Sequence, residues 1–277
     1  MLSLKERLAD LPLQEIRYFD VIDSTNDEAK RWLEQETPDC ALVVADEQTA
    51  GRGRAGRQWY TPKNSGLAFS LILSDFDKER VPSVAWATAL GALAVCQALE
   101  DLYELPATIK WPNDVLVFDK KICGILSEAF WNGDFLMAII LGLGINVAPS
   151  SLPEQVDPSL PATCIEDCLK LREPSQTKIA DRWQILHSVL FYILNWKSQL
   201  TTEELIEAWE NRLAYRDKWV QAYTEINDAG ILTGTQTKVG KVMGLSSDGS
   251  LILIDGLGSI FHLQSGEIHL RPLDKNR

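Results

Sequence analysis

Residues 81–103, VPSVAWATALGALAVCQALEDLY, carry apolar side chains at helical spacing over almost their whole length. A helix so composed has little polar face to offer water and must be buried. Pro82 sits near its first turn, where a missing N–H costs nothing. The runs ALVVAD (41–46) and GLAFSLIL (66–73) are β-branched and apolar, and read as strands. The long helix should therefore cover one face of a sheet.

Other elements fit around that pair. RYFDVI (17–22) reads as a strand, and DSTNDEAKRWLEQE opens with a Thr25-x-x-Glu28 capping box before a helix that stops ahead of Pro38. ATIKWPNDVLVFDKKICGILSEAF is broken by Pro112 and by Asp119-Lys120-Lys121, predicting two strands joined by a hairpin. DFLMAIILGLGINV gives one more strand, ending in a glycine-containing turn at Gly142–Asn146. The proline-rich APSSLPEQVDPSLPA is a surface loop, and KIADRWQILHSVLFYILNWK and TEELIEAWENRL are helices. From about Lys218 the pattern changes to short strands with turns at Asp248-Gly249 and Asp255-Gly256, which predicts a small β-barrel as a second domain.

Composition excludes several function classes. The 277 residues carry a formal net charge of −12, which argues against a broad basic face for long nucleic acid. No apolar run reaches the roughly 18 residues of a membrane span, and the N-terminus lacks the layout of a secretory signal, so a cytoplasmic protein is expected. The five cysteines are odd in number and scattered, which suits a reducing compartment. Cys164 and Cys168 read as core-facing thiols rather than zinc ligands, and the three histidines are too dispersed to form a metal site.

Against this acidic background, Gly51–Arg57 packs three glycines and three arginines into seven residues. Gly51, Gly53 and Gly56 satisfy G-x-G-x-x-G, but a dinucleotide site needs a helix opening at the third glycine, whereas Pro62 and Asn64-Ser65-Gly66 follow. A P-loop fails because Arg57 and Gln58 stand where Lys and Ser/Thr are required. Clustered guanidiniums repel one another and fork onto phosphate or carboxylate, and the glycines let the loop close over such an anion.

Four further stretches place polar residues at turns: DSTND, KWPND, KKICG and GLGIN. Singly, each has a plain structural explanation, as a helix cap, a turn former or an exposed lysine. Together with the arginine loop, and in this order, the chain resembles the biotin protein ligase family from roughly Arg17 to Val147, through STN, EQTAGRGRAGRQW, KWPNDV, KICGILSE and GLGINV.

The resemblance implies an α+β catalytic domain of class II synthetase type over residues 1–215, with an SH3-like β-barrel over 216–277. It implies activation of biotin by MgATP as biotinyl-5′-AMP, and transfer to a lysine of the biotin carboxyl carrier protein of acetyl-CoA carboxylase. Arg52 and Arg54 match the loop arginines that hold the carboxylate and the new phosphoryl group, and Lys121 the lysine that bridges carboxylate and α-phosphate. Ser24, Thr25, Asn26 and Gln48 match residues around the ureido ring, and Gly51 and Gly124 admit close backbone approach to biotin. Arg57, Trp59, Asn113 and Asn146 match contacts to ATP, and Asp114 is the candidate near magnesium. The match begins within about twenty residues of Met1, so no DNA-binding module is expected; pairing through the sheet as a homodimer is one arrangement the family uses. A lipoate-protein ligase and a non-catalytic biotin-sensing protein are the rival readings.

Overall fold

The computed structural model describes residues 3–35, 37–75, 84–153, 161–174, 179–199, 202–225, 235–264 and 268–273. Helix α1 spans Leu4–Arg7, β1 Glu15–Phe19, α2 Thr25–Leu33, β2 Ala41–Ala45 and β3 Gly66–Leu73. Helix α3 is Val84–Tyr103; Pro82 lies outside the described residues. Then come β4 Ala107–Lys110, β5 Asp114–Val117, β6 Lys120–Asn132, β7 Phe135–Asn146, α4 Ile165–Arg172, α5 Arg182–Gln199 and α6 Thr202–Asn211. Strands β8 Trp219–Glu225, β9 Thr235–Leu245, β10 Leu251–Ile254, β11 Ile260–Leu263 and β12 Ile268–Pro272 close the order.

Strands β1 to β7 form one sheet in the order β1-β2-β3-β7-β6-β5-β4, parallel between β1 and β2 and antiparallel elsewhere. Its two faces separate by residue parity. Leu67, Phe69, Leu71 and Leu73 of β3, with Leu141, Leu143 and Ile145 of β7, join Leu90, Leu93 and Leu99 of α3 in the main core. On the opposite face, Ile72, Ala138 and Ile140 pack with Ala29 and Trp32 of α2. The long apolar helix thus covers one face, as its composition requires, while α2 covers only part of the other.

Three expectations change. Helix α2 is capped by Ser24, whose Oγ accepts from Asp27 N, and not by Thr25. The Thr25 hydroxyl instead lies against Gln48 and Ser70, and Glu28 pairs with Arg17 and Arg31. Residues 107–132 form three strands rather than two, because four-residue β4 and β5 fold back around a cis Trp111-Pro112 bond before the Phe118-Asp119 turn. The GLGIN turn does not exist: β7 runs unbroken to Asn146, paired with β3 on one side and β6 on the other.

The C-terminal strands form a second, antiparallel sheet in the order β11-β10-β9-β8-β12. It is tied to the first unit by Trp111 Nε1, which donates to Gly249 O at 3.0 Å, and by Leu245 N, which donates to Glu210 Oε2 at 2.9 Å. Residues 154–160 of the proline-rich stretch lie outside the described residues; its start holds a 3-10 turn at Pro149–Ser151. No helix among the described residues is long and apolar enough to cross a membrane.

Candidate active site

The part of the sheet face that α2 leaves uncovered carries small residues. Reading across strands, Ser70, Gly142 and Leu126 are successive partners, and the next row holds Ala68, Gly144, Gly124 and Asp114. Missing side chains in two adjacent rows make a groove, roofed by the glycine-arginine loop. The result is a cavity of about 300 Å³ lined by residues including Ser24, Thr25, Asn26, Gln48, Arg52, Arg54, Arg57, Trp59, Asn113, Lys121, Gly124, Gly142, Gly144 and Asn146. Twelve of the fourteen residues singled out from sequence line it; Gly51 and Asp114 do not, though Gly51 O accepts from Trp59 N and Asp114 pairs with Lys121.

The glycines of β7 permit close approach. A Cβ at Gly142 would lie 1.9 Å from Asn26 Oδ1, and one at Gly144 would lie 2.2 Å from the Trp59 indole. At Gly124 it would meet Trp59 at 2.9 Å and Lys121 Nζ at 3.1 Å, and at Gly51 the Trp59 carbonyl at 2.4 Å. The indole therefore lies against the backbone of Gly124 in β6 and Gly144 in β7. These contacts, and not turns, are what glycine serves here.

At one end of the cavity the polar groups are neutral and interlocked. Gln48 Oε1 accepts from Thr25 N at 2.9 Å and lies 3.2 Å from Thr25 Oγ1, while its Nε2 reaches Thr61 Oγ1. Ser70 Oγ donates to Asn26 Oδ1 at 2.6 Å, and Asn26 Nδ2 donates to Leu126 O and to Glu128 Oε2. Ser24, Thr25, Asn26 and Ser70 are all buried. This end can offer several donors and acceptors to a compact polar ring.

The other end is cationic. Lys121 Nζ is 2.6 Å from Asp114 Oδ1 and 5.3 Å from the Trp59 ring centroid. Its backbone is held by 161–163, through Lys121 N to Pro161 O and Thr163 N to Lys121 O. Burial works to raise the Asp114 carboxyl, but attraction to Lys121 and Lys110, the Lys121 hydrogen bond and Arg57 outweigh it and hold Asp114 below the usual carboxylate range. Asp114 stays ionised and fixes Lys121 in place. The amides of Asn113 and Asn146 donate to Ile125 O and Thr163 O, so each orients backbone as well as facing the cavity.

The loop has its own frame. Gly53 N donates to Arg57 O, Arg57 N to Arg54 O and Trp59 N to Gly51 O, with Ala55 and Gly56 at positive φ forming the tip. The Arg52 guanidinium meets Glu128 through two bonds, at 3.1 and 2.6 Å, and Asp27 at 2.9 Å. Sequence reasoning did not single out Ser70, Asp27 or Glu128, and it assigned Gly142 and Gly144 to a turn. The strand alternation across β3, β6 and β7 was the available signal. Among the described residues no group of three or more His, Cys, Asp or Glu could hold a metal ion, and the five cysteines are free and buried.

A seven-stranded mixed sheet whose glycine-lined face meets an arginine loop defines a class. The biotin/lipoate A/B protein ligase family model matches residues 18–146. The bifunctional ligase/repressor BirA of Bacillus subtilis is 31% identical over 272 residues, covering 93% of this chain and 74% of that protein. The biotin--[acetyl-CoA-carboxylase] ligase of Paracoccus denitrificans is 31% identical over 239 residues, 83% of this chain and 90% of that one. Among solved structures, the biotin protein ligase from Aquifex aeolicus in complex with biotin and ATP superposes with a TM-score of 0.74 at 29% identity, covering 94% of this chain and all of that one. The chain belongs to the biotin/lipoate A/B protein ligase family, on its biotin protein ligase side.

Proposed function

We propose that this chain is an ATP-dependent biotin protein ligase. The observation that carries the reading is one cavity with an interlocked neutral polar end and a cationic end, under a loop of three arginines. Biotin's ureido ring would face Thr25, Asn26 and Gln48, placing its carboxylate toward Lys121. A carboxylate oxygen attacks the α-phosphorus of ATP, the bond to the bridging oxygen breaks, and pyrophosphate leaves. The amine of a carrier lysine then attacks the acyl carbon of the mixed anhydride; AMP leaves and the nitrogen sheds a proton.

Two anions must meet in the first step, so cations fixed before the reaction are what the chain contributes. Lys121 is locked by Asp114 at the point where carboxylate and phosphate would converge. Arg54 and Arg57 line the same cavity, and the Arg57 charge acts on Asp114. The Arg52 guanidinium is engaged by Asp27 and Glu128, and the Lys121 ammonium by Asp114. Trp59 would shield the reactive adenylate from water beside Gly124 and Gly144. Magnesium would arrive with ATP, held largely by phosphate oxygens as is usual for that ion, with the Asp114 carboxylate beside Lys121 as the candidate protein ligand. Residues 1–215 would supply this chemistry, with 216–277 as an SH3-like unit bracing it through Trp111.

The test is pyrophosphate release from purified protein given biotin and MgATP, with lipoate as competitor. Release that requires biotin and is indifferent to lipoate supports the reading. Release driven by lipoate, or none with either acid, overturns it.

A further inference from the structure

We infer that Glu128 and Asp27 are positioning residues that latch the arginine loop over the cavity by holding Arg52. The inference rests on the ligase reading for its activity readout alone; the latch itself is geometry. Arg52 leaves the loop beside Gly51 and presents two nitrogens to the two oxygens of Glu128, a fork-to-fork pair, while Asp27 takes a further bond from NH2. Asp27 belongs to α2 and Glu128 to β6, so one guanidinium joins loop, helix and sheet.

The same Glu128 Oε2 accepts from Asn26 Nδ2 at 2.8 Å, and Asn26 Oδ1 accepts from Ser70. The neutral end of the cavity and the loop stem therefore share one carboxylate. Arg52 pairs across the stem with Gln58, next to Trp59, and Gly51 O accepts from Trp59 N. Holding Arg52 thereby holds the indole against Gly124 and Gly144. Two carboxylates around one guanidinium leave the cluster net negative, so this arginine is a poor anion trap and a strong mechanical tie. A ligand that presses on Asn26 also presses on the latch, which couples occupancy of the neutral end to closure of the loop.

The test compares wild type with Glu128→Gln, Asp27→Asn, Arg52→Met and the Arg52→Met/Glu128→Gln double variant, using two readouts. The first is tryptic cleavage at Arg54 and Arg57, sites every variant retains, in protein without substrates. The second is the half-life of the bound adenylate after rapid removal of free biotin and ATP. Glu128→Gln should speed loop cleavage and adenylate loss each about tenfold, Asp27→Asn less, and the double variant no more than the larger single effect. Thermal unfolding separates an open loop from a lost fold; if Glu128→Gln unfolds, Asp27→Asn and Arg52→Met carry the comparison. Wild-type cleavage and adenylate half-life in Glu128→Gln, or full additivity in the double variant, would overturn the latch. If wild type forms no adenylate while Glu128→Gln still exposes Arg54 and Arg57 to trypsin, the ligase reading falls and the latch stands.

Discussion

Substituting Gly142 by alanine tests the claim that β7 needs glycine for approach and not for turning. The new Cβ would sit 1.9 Å from Asn26 Oδ1, roughly 1.5 Å short of ordinary contact, with Asn26 Cγ at 2.8 Å and Nδ2 at 3.0 Å. β7 is paired on both sides and cannot retreat, so Asn26 must move. That displacement breaks its bonds to Ser70 Oγ, Leu126 O and Glu128 Oε2, the last charge-assisted. At about 1 kcal/mol for each neutral bond and about 2 for the charged one, the cost is about 4 kcal/mol if none re-forms. At about 2–4 °C per kcal/mol for a chain of this size, Tm should fall by about 10 °C, and biotin affinity should drop at least tenfold. Differential scanning calorimetry and equilibrium biotin binding provide the readouts. Adding Asn26→Ala should relieve the overlap, so the double variant should lose less stability than the sum of the singles. A Gly142→Ala protein with wild-type Tm and affinity would refute the reasoning.

Asp114→Asn removes the anion that fixes Lys121; the adenylation rate should fall about tenfold or more, with a smaller change in biotin affinity, measured by pyrophosphate release against biotin concentration. Around Asp39, burial works to raise the carboxyl, but bonds from Cys40 Sγ, Lys197 Nζ and the N–H groups of Asp75 and Ser74 bring it from 3.8 down to about 2. Because the folded value is depressed, this group stabilises the fold fully above about pH 4 and loses that contribution, roughly 2 kcal/mol, as pH falls towards 2. Asp39→Asn should flatten that part of the stability profile in urea melts. Burial pushes Cys40, Cys96 and Cys164 up to about 12 and raises Cys123 and Cys168 as well, so none should react quickly with a thiol reagent in native protein. One fast-reacting thiol would contradict that.

What the sequence made legible was local. The β-branched runs of β2 and β3 and the apolar α3 carry their structure in their own composition, and the strands and helix stand where that composition places them. The glycine-arginine loop was legible by charge and by the absence of a following helix. Gly142 and Gly144 were misread because glycine signals a turn locally, while the reason for it here is a side chain brought in from α2 or the loop. Thr25 and Ser24 compete for one cap, and only the fold shows Thr25 drawn to Gln48. Glu128 reads as an ordinary strand glutamate until β6 brings it to Arg52 and Asn26. Four-residue β4 and β5 are too short for periodicity to separate them.

The most direct test of the central claim is the intact mass of a biotin carboxyl carrier domain incubated with this protein, biotin and MgATP, beside a Lys121→Ala control. The account predicts a gain of one biotinyl group on the carrier, slowed about a hundredfold or more when the fixed cation is removed. A carrier that gains no mass, or gains it equally fast with alanine at that position, would contradict it.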